Sequence, residues 1–201
     1  MTYDVSVFSV YVDPVVLETY LVSSVMRLNH EIPFVAMMSR GPRSIAEVYN
    51  RLFGALRTRF VFFVHPDVRF SQSLFDSLQL FERSDVGALG VAGMGFDGVT
   101  KWSHEIVSPI EVPCLDSCGV VVDREKWLGF DADVFDGLHL YVEDYCYSQR
   151  AAGRGAYVVP DDAVYHDSRT LKERGAGWGN YWAYRDRLQR KWREHFEVVT
   201  T

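Results

Sequence analysis

The chain has 201 residues, enough for one good-sized domain and too few for two comfortable ones. It is 48% hydrophobic and 24% charged, the balance of a soluble globular protein that needs no disulfide or metal staple to fold. A formal net charge of −6 argues against general affinity for nucleic acid or anionic membrane. Three cysteines without a CxxC pair suit a reducing compartment, and no signal peptide or transmembrane span is visible, so a cytoplasmic protein is expected.

Along the chain, YDVSVFSVYV reads as a buried parallel strand. Asp13-Pro14 ends it, and VVLETYLVSSVMRL has helical spacing with Pro14 at the helix start. IPFVAMMS is a second strand. Ser44 and Glu47 form a capping box for the helix SIAEVYNRLFGALR. FVFFVHP is a third strand, SQSLFDSLQLFERS an amphipathic helix, and VGALGVAGMG a fourth strand. Residues Phe96 to Pro113 lack periodicity and are expected as an irregular or hairpin insertion. CLDSCGVVVDRE reads as one strand, YVEDYCYSQRAAGRG as a helix, AYVVP as a short strand and YHDS as a turn. The remainder is a Trp-rich loop and a basic helix.

The β-α-β-α-β-α-β alternation predicts an α/β fold with a central, mostly parallel sheet flanked by helices. Ligands then bind beyond the carboxyl ends of the strands. The expected organisation is one domain over 1–201: a nucleotide-binding half (1–95), an acceptor and catalytic half (96–170), and a lid with a basic helix (171–201).

Chemistry concentrates in three places. His65-Pro66-Asp67-Val68 follows the third strand, and in extended geometry His65 and Asp67 point the same way, suiting Mn²⁺ or Mg²⁺. Glu143-Asp144 opens the later helix, where the helix dipole favours negative charge. Tyr165-His166-Asp167-Ser168 follows a short strand. Each has a plain structural reading as a cap or a packed histidine.

Taken in this order, the three features resemble the GT-A glycosyltransferases, family-2-like, especially the short single-domain group whose metal motif is His-x-Asp-Val. The resemblance covers Val5 to Ser168. It implies the nucleotide-diphospho-sugar transferase (Rossmann-like) fold and a nucleotide-sugar donor, UDP-sugar by default. Asp67, His166 and His65 are then the metal ligands. Asp13, Arg40, Asn50, His65, Asp67, Asp116 and Trp178 are the donor-side candidates. Asp144 is the expected general base and Glu143 the second candidate, with inversion at the anomeric carbon. Asp13 stands for nucleobase or ribose contact, Arg40 and Arg43 for uracil or phosphate, and Asp116 for a sugar hydroxyl. Trp102 and His104 are candidates to face donor or acceptor, and Trp178, Tyr181 and Trp182 suit a lid.

His65 replaces the first acid of the commoner DXD motif, and the Gln-x-x-Arg-Trp motif of processive synthases is missing. The acceptor stays open: a glycan, a lipid-linked sugar, a protein side chain, a small metabolite or a hydroxylated DNA base. Arg185, Arg187, Arg190, Lys191 and Arg193 make a basic helix, read first as a solvated face. Rival readings are a metal-dependent hydrolase of nucleotide sugars or phosphate esters, and a non-catalytic nucleotide-sugar-binding module.

Overall fold

The computed structural model describes residues 4–28, 31–39, 44–167 and 181–201. A seven-stranded sheet runs in the order β2-β1-β3-β10-β5-β11-β8. Its strands are β1 (Val5–Tyr11), β2 (Phe34–Met38), β3 (Phe60–Val64), β5 (Val86–Gly90), β8 (Ile110–Val112), β10 (Gly119–Asp123) and β11 (Gly155–Val158). β1 pairs parallel with β2 and β3, and β11 parallel with β5. β10 is antiparallel between β3 and β5, and β8 antiparallel on β11.

The continuous apolar runs follow from burial on both sheet faces. Phe8, Val10, Val61, Phe63, Val120 and Val122 face one hydrophobic cluster, and Val5, Val7, Phe60, Phe62, Val64 and Val121 face the other. The period of two along each strand divides these residues between the two faces. The first cluster is covered by α3 (Ile45–Phe53), α5 (Tyr141–Ala151) and α6 (Tyr181–Trp192). The second takes α1 (Pro14–Leu17), α4 (Ser73–Asp76) and the 3-10 turn Ser77–Glu82. A π-helical turn, Glu18–Val22, joins α1 to α2 (Ser23–Val25). Ser44 caps α3 as expected, its Oγ accepting from the Glu47 amide at 3.2 Å.

Three local expectations are corrected, and a fourth resolves to one of its two alternatives. CLDSCGVVVDRE is two strands, β9 (Cys114–Leu115) and β10, in different sheets. Asp116 therefore lies in the turn between them, its Oδ1 accepting from the Cys118 amide at 2.7 Å. Within residues 96–113 the hairpin alternative holds: β7 (Thr100–Trp102) pairs antiparallel with β6 (Ala92–Met94), and β8 joins the central sheet. The segment after Ser71 is α for only four residues and then 3-10. Finally, Tyr165–His166 is a short strand, β12, antiparallel to β4 (Val68–Arg69).

Candidate metal and catalytic site

The site is assembled at the carboxyl edge of β3. That strand is wholly apolar and buried, and the chain leaves it at His65. The reversal is a turn closed by the Val68 amide donating to the His65 carbonyl at 3.3 Å. A turn, and not the extended geometry inferred from sequence, brings His65 and Asp67 together. β12 then lies beside β4, opposing His166 to Val68, and the Asp167 amide donates to the Asp67 carbonyl at 3.0 Å.

One ligand atom from each of His65, Asp67 and His166 lies within 4.8 Å of the other two. Asp67 is buried, and Nε2 of His166 stands 3.5 Å from its Oδ1. That Nε2 is buried and has no hydrogen-bond partner among the described residues. A buried orphan nitrogen facing a carboxylate is costly unless something completes it. Two imidazole nitrogens and a carboxylate oxygen are a donor set that fits a divalent ion such as Mn²⁺. The Trp102 ring centroid lies 6.3 Å from that of His166, forming one wall.

The electrostatics of the two imidazoles diverge. Burial pushes His65 below its ordinary pKa, and nearby Asp67 offsets this only in part. Burial also pulls on His166, but the Asp67 carboxylate outweighs it and leaves that imidazole above its ordinary value.

Asp116 links this cluster to the acidic helix. Its turn abuts His65, whose amide donates to the Cys118 carbonyl at 2.9 Å. The Asp116 charge acts on both imidazoles and on Glu143. α5 starts without a side-chain cap, after Leu140 at φ 65°. A left-handed leucine costs roughly 1–2 kcal/mol. Leu140 is also buried, so its packing holds the strained entry to the helix.

The adjacent carboxylates of α5 have different partners. Asp144 is 1% exposed and both of its oxygens are engaged from α6: Trp192 Nε1 donates to Oδ1 at 2.7 Å and Lys191 Nζ to Oδ2 at 2.9 Å. Burial still raises its pKa, with Lys191 and Trp192 opposing. Glu143 is 2% exposed; its Oε1 accepts from the Thr201 hydroxyl at 2.7 Å, and its Oε2 is buried with no partner among the described residues. Burial, reinforced by Asp116, pushes Glu143 from 4.5 up to about 8. Of the two carboxylates, Glu143 is the one whose pKa the Asp116 charge raises. Asp144, expected as the base, ties α5 to α6.

Other sequence candidates take structural partners. Asn50 Nδ2 donates to the Phe130 carbonyl at 2.7 Å and its Oδ1 accepts from the Phe130 amide at 2.8 Å, so its amide holds the Gly-Phe-Asp turn. Asp13 sits at the carboxyl end of β1, its Oδ1 capping α1 through the Val15 amide at 2.9 Å. His104 lies beside Trp102, with ring centroids 6.0 Å apart. Arg40, Arg43 and Trp178 lie outside the described residues. Two residues had no local signal in sequence: His139, packed edge-on against Tyr181 at 5.8 Å, and Thr201.

No protein-family model matches the sequence, and no curated protein matches it. Among solved structures, the fold is similar to the mannosyltransferase PcManGT from Pyrobaculum calidifontis in complex with GDP-Man and Mn²⁺. That likeness has TM-score 0.64 at 12% identity, over 99% of this chain and 66% of that one. GalNAc-T7 with UDP, GalNAc and Mn²⁺ matches at TM-score 0.62 and 10% identity, over 92% of this chain and 49% of that one. TarS 1–349 of S. aureus with UDP-GlcNAc matches at TM-score 0.56 and 14% identity, over 83% and 58%. The chain thus spans about two thirds of the mannosyltransferase's length and about half of GalNAc-T7's. Its fold is that of the GT-A glycosyltransferases.

Proposed function

We propose that the protein is a divalent-metal-dependent glycosyltransferase that moves a sugar from a nucleoside-diphosphate sugar to an acceptor hydroxyl with inversion. The observation that carries this reading is the convergence of His65, Asp67 and His166 within 4.8 Å at the carboxyl edge of β3, with the Asp116 charge acting both on the imidazoles and on buried Glu143. The fold's likeness to proteins seen with GDP-Man, UDP or UDP-GlcNAc supports the donor class, with UDP-sugar the default.

His65, Asp67 and His166 would hold Mn²⁺ or Mg²⁺. When bound, the ion neutralises the negative charge that concentrates on the departing diphosphate. Asp116 lies beside the imidazoles and offers a carboxylate to a donor-sugar hydroxyl. The nucleotide is assigned to the carboxyl ends of β1 and β2, near Asp13, with Arg40 and Trp178 as further donor contacts. Asn50 keeps the Phe130 turn in place and acts on the nucleotide only indirectly.

Glu143 is the general base. It takes the acceptor hydroxyl proton as the new bond to the anomeric carbon forms and the bond to the diphosphate oxygen breaks. Asp144 is a positioning residue, since Lys191 and Trp192 already occupy its oxygens. A direct displacement with one base inverts the anomeric centre.

The test is release of nucleoside diphosphate from UDP- and GDP-sugars with Mn²⁺, measured with and without hydroxyl acceptors. Release that requires an acceptor supports the transferase. Release that proceeds equally with water alone turns the same residues into a hydrolase. Binding without turnover under every acceptor makes the protein a nucleotide-sugar-binding module.

A further inference from the structure

The segment after α6 runs against the face of α5 that carries Glu143. It has no helix or strand of its own from 197 to 201. Its backbone is held mostly by side chains. The Val199 amide donates to the Tyr147 hydroxyl at 2.8 Å, and that hydroxyl donates to the Val199 carbonyl at 3.0 Å. Cys114 Sγ also reaches the Val199 carbonyl, at 3.5 Å. Tyr181 Oη bonds the Thr200 hydroxyl at 2.9 Å and donates to the Thr201 carbonyl at 3.0 Å. The run ends with Thr201 Oγ1 donating to Glu143 Oε1.

That last contact has the chemistry of the step assigned to Glu143. An aliphatic hydroxyl points its proton at the buried carboxylate, as an acceptor sugar or side-chain hydroxyl must before it attacks. We propose that residues 198–201 are a built-in pseudo-acceptor: they occupy the acceptor subsite, with the Thr201 hydroxyl standing where the acceptor hydroxyl binds, and must lift before an acceptor enters. This rests on the glycosyltransferase reading of the site.

The segment is suited to lifting. Val198 and Val199 are only partly buried, and Glu197 is exposed. Its outer flank borders an open groove of about 460 Å³ lined in part by Asp186, Arg190, Arg193 and Phe196. Few ladder bonds and incomplete burial mark a stretch that opens well below the cost of global unfolding. With the segment down, Glu143 is sealed from water and disfavoured as a carboxylate, so the base is off. With it lifted, Glu143 meets solvent or acceptor and ionises more readily. One movement therefore clears the subsite and activates the base.

The experiment compares the full chain with the double variant Thr201→Val, Tyr181→Phe, which cuts the hydroxyl contacts and keeps the rings and the Val199 bonds. Amide exchange is read first. In the wild type the Val199 amide should exchange at least about tenfold faster than the β3 amides, and faster again in the variant. Labelling of Glu143 by a water-soluble carbodiimide and an amine should rise several-fold in the variant. Nucleoside diphosphate release from the donor to water should rise similarly, with UDP or GDP affinity unchanged. Val199 exchanging in step with β3, or Glu143 labelling unaltered by the double substitution, overturns the pseudo-acceptor. Loss of Mn²⁺-dependent nucleotide binding in both proteins, with the segment still opening, instead overturns the glycosyltransferase reading.

Discussion

Replacing Glu143 by Gln should make the folded protein more stable at alkaline pH while sharply lowering turnover. Glu143 sits at 2% exposure with one oxygen on Thr201 and the other without a partner among the described residues, and its pKa is raised from 4.5 to about 8. A folded-state pKa above the unfolded one means the fold prefers the protonated carboxyl. That stability is fully present below about pH 4.5 and is lost as pH rises through about 8. At about 1.4 kcal/mol per pH unit, the ionised form is disfavoured by roughly 4–5 kcal/mol. Lifting residues 198–201 would hydrate the carboxylate, so the observed loss is capped by the cost of opening them. Glutamine preserves the shape and the acceptor for Thr201 but does not titrate. Urea unfolding of wild type and Glu143→Gln at pH 5 and pH 9 isolates this group, because other titrations cancel in the difference. The wild type should lose about 2–4 kcal/mol relative to the variant between the two pH values. A stability difference independent of pH would refute the buried, protonated carboxyl. Removal of a general base also predicts a drop in turnover on the order of 10²–10⁴-fold in the variant, with nucleotide affinity kept.

Asp144→Asn should behave differently. It weakens the tie to Lys191 and Trp192 and should cost about 1–3 kcal/mol in urea unfolding. Turnover should fall far less than in Glu143→Gln, and a complete loss with normal stability would return the base to Asp144. Asn50→Ala removes both bonds to the Phe130 backbone and should lower stability by about 1–3 kcal/mol. Calorimetry should find its nucleotide affinity close to that of the wild type, and a large selective loss would put Asn50 on the nucleotide.

Much of the fold could be read from sequence because the signals were local. Phe60–Val64 is apolar on both faces and Val5–Tyr11 nearly so, interrupted only by Ser6 and Ser9, and turn formers flank them, as a strand buried on both faces requires. The Ser44 cap lies within one turn of its partner. The break at Asp116-Ser117 was legible in principle, since Asp-Ser-x-Gly favours a turn, but the flanking apolar residues masked it.

The site divided along the same line. His65-Pro66-Asp67 announced itself at a strand end, whereas the place of His166 depends on a non-local pairing of two-residue strands. The different partners of Glu143 and Asp144 were not legible for a physical reason. Residues Tyr141 through Tyr147 are all buried, so α5 shows no polar face to say which carboxylate looks where. Only the partners Lys191, Trp192 and Thr201, some fifty residues on, distinguish them.

The most direct test of the central claim is calorimetric titration of UDP and GDP into the protein with and without Mn²⁺, repeated with Asp67→Ala. Asp67 is buried between His65 and His166, and its removal should take away the metal-dependent part of nucleotide binding. Micromolar-range binding that needs Mn²⁺ and disappears with Asp67 is the predicted result. Nucleotide affinity that is indifferent to Mn²⁺, or unchanged in Asp67→Ala, would contradict the assignment of His65, Asp67 and His166 as the metal site of a glycosyltransferase.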